Sequence, residues 1–198
     1  MSTPEGMTRR QALRRTAGLL GGVISMPVWS GVLSGCTADG GADWSPVTLS
    51  PEQNEMVTLL AERIIPATDT PGAQAANVNR FIDKMVGESF LPEDRDRFME
   101  GLTAFNKRCQ NTHDAAFVDA TEEQQKALIA EVDTETFGDD APPPDRETPS
   151  FYRMMKELVV TGYYTSEIGA SQELKINIVP GYYDGDVPYE EIGRTWSA

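Results

Sequence analysis

Ser50-Pro51-Glu52-Gln53-Asn54-Glu55-Met56-Val57-Thr58-Leu59-Leu60-Ala61-Glu62-Arg63-Ile64-Ile65-Pro66 decides the fold class. Ser50 can cap the free amides of a first turn, Pro51 suits that turn, and Gln53 completes a capping box. Met56, Val57, Leu60 and Ile64 then fall on one helical face until Pro66 stops the helix. The same grammar recurs downstream. Val78, Phe81, Ile82, Met85 and Val86 mark a second amphipathic helix. A third begins near Pro92 and runs through Phe98, Leu102, Phe105 and Cys109. Thr121, followed by Glu122, Glu123 and Gln124, opens a fourth that buries Leu128, Ile129 and Val132. Ser150 caps a fifth with Phe151, Met154, Met155, Leu158 and Val159 inward.

Between these runs lie breakers. Ala67-Thr68-Asp69-Thr70-Pro71-Gly72-Ala73 is a loop, and the acidic stretch Gly138–Pro149, with Pro142-Pro143-Pro144 in sequence, cannot be helical. From Gly169 onward the chain changes in kind. It is rich in Gly, Pro and Tyr, and only Leu174 to Val179 alternates like a short strand. The expected fold is all-α: a bundle of about five helices with an extended Gly/Pro/Tyr-rich C-terminal arm.

The N-terminus reads as an export signal rather than as part of the fold. Arg9 and Arg10 stand ahead of an uncharged apolar run from Ala17 to Leu33, which resembles a twin-arginine (Tat) signal, the route taken by proteins that cross already folded. Ala12 replaces the usual large apolar residue, with Leu13 following. Gly18, Gly21, Gly22, Gly31 and, just beyond the run, Gly35, together with Pro27, weaken it as a membrane helix, and its length barely spans a bilayer. It ends in Leu33-Ser34-Gly35-Cys36, which resembles a lipobox with Cys36 as the lipidation site. The expected organisation is a signal peptide over 1–36, a flexible tether over 37–49 and a helical domain over 50–198. The expected location is the periplasm, membrane-anchored through lipid.

The 198 residues carry a net charge of −14. Setting aside the four arginines and one glutamate of residues 1–36 leaves 13 basic and 30 acidic residues, a net of −17. A body that acidic is repelled by nucleic acid and by anionic lipid. Only Cys36 and Cys109 are present, so a lipidated Cys36 leaves Cys109 without a disulfide partner. Cys109 keeps helical register with Phe98, Leu102 and Phe105, as a buried thiol would.

Chemistry of the chain's own is not encoded in any recognisable motif. The single histidine, His113, sits in a polar stretch at a helix end, with no second His or Cys at ligand spacing. No G-x-G-x-x-G follows a strand and no C-x-x-C-H occurs. No pair among the 31 carboxylates is set apart by apolar surroundings. The unusual residues are instead aromatic and turn-forming: Tyr163, Tyr164, Tyr182, Tyr183, Tyr189 and Trp196 on Gly/Pro-shaped backbone, a composition suited equally to interfaces and to packing over the chain's own helices.

Four blocks in order resemble the gluconate 2-dehydrogenase subunit 3 family: Ile64-Ile65-Pro66-Ala67-Thr68-Asp69-Thr70-Pro71-Gly72-Ala73; Val78-Asn79-Arg80-Phe81-Ile82-Asp83; Gly162-Tyr163-Tyr164-Thr165-Ser166-Glu167-Ile168-Gly169; and Val179-Pro180-Gly181 with Tyr183-Asp184-Gly185. The likeness runs from about residue 50 to the end. It implies a small subunit without a cofactor of its own, accompanying a large FAD-dependent oxidoreductase of the glucose-methanol-choline (GMC) type. A multi-haem cytochrome c often completes such complexes. The resemblance also implies that this chain's signal carries the flavin-loaded partner through the Tat translocase. It assigns no catalytic residue here. The candidate partner-contacting residues are Pro66, Thr68, Asp69, Pro71 and Gly72 in the first loop. Tyr163, Tyr164, Thr165, Ser166, Glu167 and Gly169 follow in the second block, with Pro180, Gly181 and Tyr183 in the arm. Asp186 stands where members of that family often carry cysteine, so a cysteine-dependent feature at that point is lost. Two other readings compete: a free-standing periplasmic lipoprotein that binds a small ligand or peptide, and an independent enzyme working through its carboxylates.

Overall fold

The computed structural model describes residues 44–143, 145, 147–176, 179, 181 and 184–197. Arg9, Arg10, Cys36, Pro180 and Tyr183, together with the signal peptide and most of the tether, lie outside them. The helical unit spans Ser45–Ala198. Among the described residues, five helices of seven residues or more are found where the apolar periodicity placed them: α1 (Pro51–Ile64), α2 (Val78–Lys84), α3 (Pro92–His113), α4 (Glu122–Phe137) and α5 (Phe151–Tyr164).

Local chemistry sets their ends. Gln53 N–H donates to Ser50 Oγ at 3.2 Å, and Ser50 N–H donates back to Gln53 Oε1 at 2.8 Å. Thr121 and Gln124 repeat that reciprocal cap on α4, and Ser150 Oγ accepts from Arg153 N–H at the start of α5. Each such cap is worth about 1 kcal/mol. α3 ends as the sequence indicated, with His113 its last residue and Asp114 in the left-handed region at φ 54°.

α5 lies at the centre, packing on α1, α2, α3 and α4. Val57 and Leu60 of α1, Val78 and Ile82 of α2, Phe98 and Leu102 of α3, Leu128 of α4, and Met155 and Val159 of α5 meet in one core. Burying each such side chain contributes about 1.5–3 kcal/mol. Phe117 joins them from the loop between α3 and α4, its ring edge-on to Phe105 at 5.3 Å. Its amide donates to Asn106 Oδ1, so the loop is fixed to α3 at the same point. The buried polar exception in this region is Gln125, whose Nε2 donates to Phe117 O and Ala120 O while its Oε1 accepts from Arg63 Nε. Fully partnered, it costs the core little.

Three features differ from the sequence reading. The last residues of the segment assigned to a tether over 37–49, Val47 to Leu49, are held on the domain before Ser50. Leu49 is buried, and the carboxylate of Asp83, only 4% exposed, accepts from three successive amides. These are Val47 N–H at 2.9 Å, Thr48 N–H at 3.0 Å and Leu49 N–H at 2.8 Å. Second, α2 does not simply continue. It widens into a π-turn over Met85–Ser89, closed by Phe90 N–H to Met85 O at 3.1 Å. Third, the C-terminal arm carries local structure rather than being extended throughout. A second π-turn covers Gly169–Glu173, β1 (Lys175–Ile176) pairs in parallel with β2 (Trp196–Ser197), and α6 (Tyr189–Ile192) lies between them. The expected strand over Leu174–Val179 is thus a two-residue ladder among the described residues, the sheet being no larger.

Cys109 is fully buried, and burial raises its thiol pKa. A thiol reagent is expected to modify Cys109 only as the domain unfolds, with a native-state rate at least about a thousandfold below that of a free cysteine. Labelling at the free-thiol rate under native conditions would contradict this placement.

Candidate functional site

Two of the sequence blocks, about ninety residues apart, are brought into contact as one joint. The Pro66–Ala73 loop is closed from below by Glu62 of α1, whose carboxylate accepts Ala67 N–H at 3.0 Å and Gln74 N–H at 2.8 Å. Ala73 N–H donates to Ile65 O at 2.9 Å, completing the return. A Cβ on Gly72 would collide with the Glu62 carboxylate and with Ala67 N, so only glycine lets the loop fold over that acid.

From the other side, the Tyr163 hydroxyl donates to Pro71 O at 2.7 Å. Thr70 Oγ1 donates to Glu173 Oε2 at 2.6 Å, tying the loop to the second π-turn. The end of α5 is shaped for this. Ser166 Oγ donates to Tyr163 O at 2.6 Å and accepts Gly169 N–H at 3.0 Å. Gly169 lies so close to Tyr163 O that a Cβ there has no room. The π-turn closes with Leu174 N–H to Gly169 O at 2.8 Å.

The candidate contact residues therefore divide by position. Tyr163 is 1% exposed, and Gly72 and Gly169 are likewise buried, so these three hold the joint from inside. Pro66, Thr68, Asp69, Tyr164, Thr165 and Glu167 are exposed around it, with Pro71 and Ser166 half-buried. Gly181, at φ 80°, is exposed in the arm. Sequence reasoning missed Glu62, Thr70 and Glu173. The available signal was Glu62 itself, because a carboxylate in the last turn of a helix opposes the helix dipole unless something else partners it.

Elsewhere the electrostatics are those of a braced surface. Arg108 clamps Glu135 at 2.6 and 2.7 Å and Glu131 at 2.8 Å. The hydrogen bonds that Arg108 donates to Glu135 raise the guanidinium pKa against the opposing effect of burial, with a further contribution from Glu131, and Glu135 is lowered in return. Tyr152 is raised chiefly by burial, then by the nearby Asp133 charge. Among the described residues no group of three or more His, Cys, Asp or Glu side chains is placed to hold a metal ion. Two surface grooves stand out among the described residues, one of about 290 Å³ between α3, α4 and α5 and one of about 420 Å³ along α3. No described helix is long and apolar enough to cross a membrane.

A five-helix bundle whose central helix locks a distant loop defines a small all-α module. The chain belongs to the gluconate 2-dehydrogenase subunit 3 family: that family's sequence model matches residues 51–181, which include both halves of the joint. No curated protein and no solved structure matches the chain. A subunit of such a complex implies partner subunits.

Proposed function

We propose that this chain is the non-catalytic small subunit of a periplasmic, FAD-dependent dehydrogenase of the GMC type that oxidises a sugar, sugar acid or related alcohol. Its roles are Tat export, maturation and membrane attachment of the large flavoprotein. The observation that carries the reading is the family match over residues 51–181, joined to the twin-arginine and lipobox patterns at Arg9, Arg10 and Cys36. FAD belongs to the large subunit, and a haem c, where present, to a third. The Tat route fits a subunit without a cofactor motif, because the flavin-loaded partner is what must cross folded.

Co-expression with the large subunit tests this. The pair is expected to co-purify with flavin absorbance and dehydrogenase activity, and the single chain to show neither. Changing Arg9 and Arg10 to lysine is expected to leave nearly all of both proteins in the cytoplasm, read by fractionation and immunoblot. Export of the flavoprotein at the wild-type level with both arginines replaced would refute the carrier role. Flavin or turnover in the isolated chain would refute the accessory role.

A further inference from the structure

The outward side of α5 carries a stripe that the fold does not use. Val160 is 40% exposed and Tyr164, one turn on, is 38% exposed. Phe137, 40% exposed at the end of α4, extends the stripe, sharing with Lys156, Glu157, Val160 and Thr161 a groove of about 240 Å³. The stripe is held rigid at both ends. Phe137 stands edge-on to Tyr152 at 6.3 Å under Arg153 and Lys156, whose charged groups lie 4.4 and 4.6 Å from its ring centre. Tyr164 stands edge-on to Tyr163 at 5.3 Å, and Tyr163 is the residue whose hydroxyl holds Pro71. The stripe is therefore continuous with the joint. Rigid aromatic anchors in a shallow apolar groove are what protein interfaces use.

Charge selects the occupant. Lys156 is already taken by Asp133 at 2.5 Å, and Arg153 is engaged by the Phe137 ring and by Thr136 O. Asp69, Glu157 and Glu167 are exposed, and among the described residues none of them sits in an ion pair. A second copy of a chain with net charge −14 would bring like charges together over this face. A partner whose apolar ridge is flanked by arginine or lysine would meet both halves of the pattern.

We propose that the Phe137–Val160–Tyr164 face of α5 is the seat of the large dehydrogenase subunit, and that it receives an apolar ridge of that subunit flanked by basic side chains. This rests on the reading of the chain as a subunit of such a complex. The test is affinity of the purified full-length chain for the large subunit at two salt concentrations. Val160→Asp and Tyr164→Asp are each expected to weaken association at least about tenfold. Val160→Asp leaves the Tm nearly unchanged, while Tyr164→Asp lowers it by a few degrees through loss of the Tyr163 contact, so the affinity loss at Val160 is the deciding readout. The pair Glu157→Lys with Glu167→Lys is expected to weaken it about three- to tenfold at low salt and less at high salt. Lys107→Glu, on the far groove of α3, serves as the control and is expected to change nothing. If the wild-type chain binds and all the α5 variants bind equally well, the proposed seat is wrong while the subunit reading stands. If the wild-type chain does not bind, the subunit reading itself falls. Self-association of the isolated chain that the same substitutions abolish would assign the face to a second copy and overturn the proposal.

Discussion

Asp83→Ala is expected to destabilise the chain by about 2–4 kcal/mol, leaving buried donors without an acceptor, with a fall in Tm of about 5–15 °C for a domain of this size. The lost group is one carboxylate that accepts from Val47, Thr48 and Leu49. Val47 is on the surface and its amide can turn to water, but Leu49 is buried and its amide has no such recourse. Asp83→Asn keeps one carbonyl acceptor and sets an NH₂ group against a remaining donor, so about half of the loss is expected. Denaturant unfolding measures both. Amide exchange adds a local readout, in which Thr48 and Leu49 lose protection before the helices do. A value for Asp83→Ala within about 0.5 kcal/mol of wild type, the range of an ordinary surface substitution, would show that the three hydrogen bonds do not pin the segment.

The larger expected effect is at Tyr163. Tyr163→Ala removes a fully buried ring and is expected to cost about 3–5 kcal/mol, enough to unfold much of a marginally stable domain. Tyr163→Phe separates packing from the hydrogen bond. It keeps the ring and leaves Pro71 O without its donor, with an expected loss of about 1–2 kcal/mol. The informative result is spatial. In Tyr163→Phe the Pro66–Ala73 loop should become the first site cut by a nonspecific protease under native conditions, with the helices still folded. Equal cleavage rates in wild type and Tyr163→Phe would show that Glu62 and Thr70 hold the loop without the tyrosine.

What could be read from the residues and what could not divide along physical lines. The five helices were legible because each has an apolar face, and α1, α4 and α5 also announce their start with a side-chain cap. Ser50 with Gln53 and Thr121 with Gln124 are capping boxes in the structure, and Val57, Leu60, Leu128, Ile129 and Val159 are buried as their spacing requires. Phe117 was not legible, since a core residue contributed by a loop has no period to betray it. Nor were the π-turns, because one residue of widening leaves the spacing of Met85 and Val86 intact. Asp83 lies on the buried side of a short helix, where a carboxylate is expected only if something partners it. Its partners are backbone amides, which look the same in every sequence. The joint was half visible. Both blocks could be singled out, yet nothing in either says that Tyr163 reaches Pro71, because that contact depends on how α1, α2 and α5 pack.

The Tyr163–Pro71 and Thr70–Glu173 hydrogen bonds join positions 92 and 103 apart in the chain. Bringing such distant positions together is entropically costly until the intervening helices have packed. The joint is thus among the last contacts a newly made chain can complete. A half-finished bundle displays the loop and the tyrosine separately, and neither alone has the shape of the pair. A partner that grips this surface selects for finished molecules, so recognition and inspection become a single event.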